Sequence, residues 1–142
     1  MGMLTPANED YIESIYELAG KKAGVGVRSV DLAAKLKVSK ASVNKAVGLL
    51  KSAGFVEQAP YGDVILTPEG AAYGAAVLER HHLLLAFLTQ ELGVDYEVAQ
   101  EEACMMEHAI SDDTLKRWAA YMRDINERRR ECAGCESGKN AD

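Results

Sequence analysis

Three residues in the second half of the chain combine types and spacing that bind metal. Cys104, Glu107 and His108 stand at i, i+3 and i+4. On one α-helix that spacing puts all three on one face. A thiolate, a carboxylate and an imidazole are a usual donor set for a divalent transition metal. Asp10 and Glu13 repeat the i, i+3 carboxylate spacing near the N-terminus, and His81 falls midway along a long helical stretch. Taken singly, each group also suits an ordinary helix. Cys104 beside Met105 and Met106 fits a core, and a glutamate–histidine pair fits a wet surface. A metalloenzyme needs an open coordination position, a general base and a substrate pocket. No residues remain here to fill those roles, so the sequence reads as a non-enzyme. Cys132 and Cys135 form one CxxC without a second ligand pair, which fits free thiols better than structural zinc.

A second group points to nucleic acid. The net charge of −6 looks wrong for a DNA binder, but its distribution does not. Residues 1–70 carry 8 Lys/Arg and 8 Asp/Glu; residues 71–142 carry 8 and 14. All the excess acid therefore lies in the second half. Between Arg28 and Lys51 six basic residues face one acid, Asp31. A phosphate-contacting module joined to a cation-binding one has this form.

The elements that must position these residues follow from periodicity and punctuation. Asn8 to Ala19 has an amphipathic stripe, ended by Gly20. Val27 suits a short strand. Ser29 can cap a helix from Val30 to about Leu36. Lys37-Val38-Ser39 makes a tight connection, and Ser39 can cap a helix over Lys40 to Ser52, closed by Gly54. Phe55–Gln58 and Val64–Thr67 are β-rich runs around the turn residues 59–63, which predicts a hairpin. Helix, helix, tight turn, helix, hairpin is the winged helix-turn-helix order. Thr67-Pro68 starts a long helix predicted to reach about Leu92, where Gly93 breaks it. A further helix is predicted over about Tyr96 to Ile110, and Ser111 caps a last one with the stripe Leu115, Trp118, Ala119, Met122 and Ile125. The fold class is mainly α. Residues 1–72 form the winged helix-turn-helix, 73–127 an all-helical domain for dimerisation and metal, and 128–142 a flexible tail.

In that frame Ser39, Lys40, Ala41, Ser42, Asn44 and Lys45 occupy the N-terminal part of the recognition helix. Asn and Lys can read base edges, Ser and Lys can hold phosphates, and Ala41 can meet a thymine methyl. Arg28 and Lys37 are phosphate candidates, and Tyr61 sits at the wing tip. Helix-turn-helix dimers bind half-sites about one helical turn apart, so the expected partners are a pseudo-palindromic DNA duplex and a second copy of the chain. The dimer is expected without metal, through Leu115, Trp118, Met122 and the segment Leu83 to Leu88. No span suits a membrane, no secretion signal is visible, and an odd cysteine count fits a reduced cytoplasm.

Over about residues 5–125 the sequence resembles the diphtheria toxin repressor and manganese transport regulator family. Glu9-Asp10-Tyr11-Ile12-Glu13-Ser14-Ile15-Tyr16 looks like its first helix, and Ser42-Val43 matches its recognition helix. Leu66-Thr67-Pro68-Glu69-Gly70 matches the step from wing to long helix, and Arg80-His81 matches that helix's histidine. Glu102-Ala103-Cys104, Glu107-His108 and Ser111-Asp112 carry its most specific signature.

The resemblance implies a ligand set of Asp10, Glu13, His81, Cys104, Glu107 and His108. Asp10 and Glu13 are like the manganese branch, and Cys104 is like the iron branch. Leu85 and Gln100 stand where the iron branch's ancillary site has a glutamate and a histidine, so that site is not expected in its usual form. No extra C-terminal domain of the longer members is expected. The function implied is a metal-dependent repressor of metal-homeostasis genes, with Fe(II) favoured, Mn(II) next, and Co(II), Ni(II) or Zn(II) compatible in vitro. In the expected mechanism a metal bound by donors of both domains fixes their orientation, and so the spacing of the recognition helices. The alternative is a winged-helix regulator whose ligand is not a metal.

Overall fold

The computed structural model describes residues 4–139, with side chains to residue 134. The chain divides into two compact units, residues 1–82 and 83–142.

In the first unit, α1 (Pro6–Leu18) starts two residues earlier than its apolar stripe suggests. Thr5 is the N-cap: its hydroxyl accepts from the Asn8 N–H at 3.2 Å, and Pro6 follows at the first turn. α2 (Ser29–Leu36) ends on Lys37, whose φ of 55° is left-handed. α3 (Lys40–Ser52) is capped by Ser39, which accepts from the Ser42 N–H at 3.2 Å. Strands β1 (Gly26–Val27), β2 (Val56–Gln58) and β3 (Val64–Leu66) form an antiparallel sheet in the order β1-β3-β2. Val27 pairs with Val64, and Val56 with Leu66. This is the winged helix-turn-helix that periodicity predicts. Ile12, Ile15, Leu32, Val43, Leu50, Val56, Val64, Leu66 and Val77 form its fully buried centre.

α4 (Pro68–Ala86) enters from the wing. Thr67 caps it: its hydroxyl accepts from the Gly70 N–H at 3.1 Å. Gly70 is required there, because a Cβ would stand 1.9 Å from the Phe55 carbonyl oxygen. An uninterrupted helix to Leu92 is not what forms. α4 stops at Ala86, and Phe87–Glu91 winds as a π turn. The Thr89 hydroxyl donates to the Leu85 carbonyl at 2.8 Å, the kind of back-bond that disturbs a helix ladder. Gly93, at φ 66°, then ends the segment.

The second unit packs Leu84, Leu88, Ala99, Ala103 and Leu115 together, flanked by Met106, Ile110 and Trp118. α5 spans Tyr96–Glu107, shorter than predicted, with His108 as its C-cap. α6 spans Asp112–Lys139. Its start is as expected: Ser111 accepts from the Thr114 N–H at 3.2 Å. Beyond Arg128, however, the chain is helical through Lys139 rather than frayed. Arg129 supplies the reason. It makes two hydrogen bonds of 2.8 Å to both carboxylate oxygens of Glu91, a fork geometry that fixes the side chain. Arg128 adds an i, i+4 pair to Asp124 at 3.1 Å. Cys132 is exposed on this helix; the side chain of Cys135 lies outside the described residues.

The expected dimer stripe also needs correction. Leu84, Leu88, Leu115 and Met122 are buried within the chain itself. The large apolar residues left exposed in this unit are Leu92, Tyr96, Val98, Met105 and Tyr121. Periodicity identifies the apolar face of a helix but not which neighbour covers it.

Candidate metal centre and DNA-reading face

In the second unit α5 carries Cys104, Glu107 and His108 to one end of one helix. Their donor atoms lie within 4.8 Å of one another. Glu107 is fully buried, while Cys104 and His108 are half-buried. His108 Nε2 stands 3.2 Å from Glu107 Oε1. Burying a carboxylate is expensive unless cationic or hydrogen-bonding groups meet it. A thiol, a carboxylate and an imidazole within that radius fit a divalent transition cation.

In the first unit Asp10 and Glu13 lie half-buried on α1, and His81 lies half-buried near the end of this unit's part of α4. A Glu13 carboxylate oxygen and a His81 ring nitrogen are within 4.8 Å of each other. This is a second pair with metal-binding chemistry. Leu85 packs against the second unit's core, and Gln100 donates to the Tyr96 hydroxyl at 2.6 Å.

Sequence reasoning passed over a buried polar cluster beside that pair. Tyr73 donates its hydroxyl to Glu9 Oε2 at 3.1 Å, and Arg80 Nη1 stands 3.7 Å from the same oxygen. Glu9 is 6% exposed, Tyr73 7% and Arg80 9%. Burial, then the Glu9 charge and its hydrogen bond, push the Tyr73 hydroxyl up to about 12. The only sequence signal was that Glu9 and Arg80 adjoin the candidate ligands Asp10 and His81.

The DNA-reading candidates lie where the sequence puts them. Ser39, Lys40, Ala41, Ser42, Asn44 and Lys45 are all exposed on the first half of α3 or its cap. Arg28 and Lys37 are exposed at the two ends of α2. Tyr61 is 77% exposed at the wing tip. Thr5 and Asn8, which carry no expectation from the sequence, join Ser42 and Lys45 in lining a groove of about 330 Å³ between α1 and α3.

Comparison with known proteins assigns these two units. Residues 3–64 match the iron dependent repressor N-terminal DNA binding domain, and residues 67–132 match the iron dependent repressor metal binding and dimerisation domain. The chain belongs to the iron-dependent repressor family. Members of this family are metal-dependent, DNA-binding transcriptional repressors, not enzymes. The family's two domain descriptions indicate DNA, a divalent metal and a second copy as its partners. Among relatives, the transcriptional regulator MntR of Salmonella typhimurium is 40% identical over 114 residues, covering 80% of this chain and 70% of that one. The diphtheria toxin repressor of Corynebacterium efficiens is 31% identical over 122 residues, covering 86% and 52%. The solved manganese regulator SloR superposes with a TM-score of 0.73 at 28% identity, covering 84% and 55%. The chain thus spans about half the length of the last two. No described helix is long and apolar enough to cross a membrane.

Proposed function

We propose that this repressor is activated by Fe(II) or Mn(II), with Asp10, Glu13, His81, Cys104, Glu107 and His108 as ligands. The observation that carries the proposal is the fully buried Glu107 carboxylate with the Cys104 and His108 donors beside it. That set offers three protein donors, and Glu13 with His81 offers two. Divalent ions of this class take about four to six ligands, so neither set saturates an ion alone. Donors from both sets are therefore needed.

Bound there, the cation supplies positive charge and coordination bonds. The remaining roles belong to the chain. Asp10 and Glu13 bring their carboxylates on α1, which also packs on the recognition helix α3. Glu107 and His108 bring theirs on α5. Donors on both units couple metal occupancy to the arrangement of two recognition helices in a dimer. DNA with pseudo-palindromic half-sites about one helical turn apart is the matching target. The Cys104 thiolate softens the donor set and favours Fe(II) over Mn(II).

The test uses a duplex selected from a random pool in Mn(II). Its affinity is then titrated with anaerobic Fe(II), Mn(II), Co(II), Ni(II) and Zn(II). Metal should tighten binding by at least about tenfold, a linkage of about 1.4 kcal/mol. Cys104→Ala, Glu107→Ala and His108→Ala should each reduce that gain. Wild-type metal response in all three would overturn the ligand assignment, and metal-independent binding would favour an organic effector.

A further inference from the structure

The cluster of Glu9, Tyr73 and Arg80 has no role in the ligand set, yet it is costly to bury. A buried ion pair contributes little net stability compared with well-packed apolar residues, and its best-attested use is to specify geometry. Its placement gives that use an object. Glu9 comes from the first turn of α1; Tyr73 and Arg80 come from α4, seven residues apart and so on one face. Gly74 lets the two helices approach there. A Cβ at that position would stand 2.8 Å from the Cβ of Tyr16. Asp10 adjoins Glu9 in sequence, and Glu13 lies one turn further along the same α1 face. His81 adjoins Arg80, and its ring nitrogen is already within 4.8 Å of a Glu13 oxygen.

We propose that Glu9, Tyr73 and Arg80 are positioning residues that set α1 against α4, and so fix the donors Asp10, Glu13 and His81 for metal. The proposal rests on the ligand assignment above. Arg80 fixes the α4 side, and the Glu9 carboxylate offsets its charge. Without Glu9 an uncompensated guanidinium would sit one residue from a cation ligand. Tyr73 fills a second lone-pair direction of that carboxylate and restricts its rotation. Outer residues that orient metal ligands typically carry about 10- to 100-fold in metal affinity.

The experiment titrates the full chain with Co(II), anaerobically. The thiolate-to-cobalt absorption band reports occupancy at Cys104, and the weaker visible bands report geometry. Glu9→Gln should weaken Co(II) binding by about 10- to 100-fold and change the visible bands. Tyr73→Phe should do so less. Circular dichroism melting in the absence of metal separates these effects from unfolding. The double variant Glu9→Met/Arg80→Met removes both charges together. It should melt near the wild type while still binding Co(II) weakly. Wild-type Co(II) affinity in Glu9→Gln or in the double variant would overturn the proposal. Asp10→Ala and His81→Ala serve as controls. If they weaken Co(II) binding while Glu9→Gln does not, only the positioning role falls. If they too leave it unchanged, the ligand assignment falls, and the positioning role with it.

Discussion

The two units use their interiors differently. The first is filled by branched aliphatic side chains, Ile12, Ile15, Leu32, Val43, Val47 and Leu50 among them, and puts most of its charge outside. The second is built around three leucines and two alanines, and Glu107 is fully buried in it. It also leaves Leu92, Tyr96, Val98, Met105 and Tyr121 in solvent. Small core residues and exposed apolar surface leave less burial to offset chain entropy. The first unit therefore carries its own stability, while the second depends on what it binds: metal inside, and another copy outside.

The strongest way to break this contrast is denaturation at several protein concentrations. Leu50→Ala, at a fully buried site on α3, should cost about 2–5 kcal/mol. That loss should appear in a urea transition that does not move with protein concentration. The second unit should give a transition that moves to higher urea as concentration rises, because association stabilises only the folded form. A single transition independent of concentration would dissolve the distinction.

A smaller effect sharpens it from the DNA side. Asn44→Ala and Lys45→Ala alter exposed positions on α3 and should leave Mn(II) affinity, measured by calorimetry, unchanged. Loss of a base contact should cost about 1–3 kcal/mol in DNA affinity, and loss of a phosphate contact should lower the salt slope by about one. If neither variant changes DNA binding at any salt concentration, α3 is not the reading helix.

The smallest effect compares like with like. Ser39 and Ser111 cap α3 and α6 with the same geometry: each accepts an N–H at 3.2 Å and meets a second hydroxyl at 3.0 Å. Each serine-to-alanine change should cost about 1 kcal/mol of stability. Only Ser39→Ala should also weaken DNA binding. Equal DNA affinities for the two variants would show that Ser39 is a cap and nothing more.

What the sequence made legible was local. Ser39, the apolar period through Leu50 and the turn chemistry around Gly62 define α3 and the wing from neighbouring residues alone. The spacing of Cys104, Glu107 and His108 was equally readable, since i, i+3 and i+4 imply proximity within one helix. What it hid was non-local. Glu9 and Arg80 look like surface charges until α4 is laid against α1. The run after Arg128 looks like a tail because its partner, Glu91, is 38 residues away. The π turn depends on one Thr89 hydroxyl, which no periodicity reports.

That π turn has a consequence for the length of the chain. A wide turn closes its hydrogen bonds over one residue more than an α-turn, so Phe87–Glu91 holds a surplus residue within a continuous rod. Removing one residue from it would let the rod close up as ordinary helix, at the expense of rotating Glu91 by about 100° relative to what precedes it. The clasp with Arg129 would then lose its register, although the helix itself would survive. The turn is thus a joint at which insertion or deletion re-aims the C-terminal rod of the second unit without unwinding it. In α3 the same deletion would swing every base-reading side chain off its face.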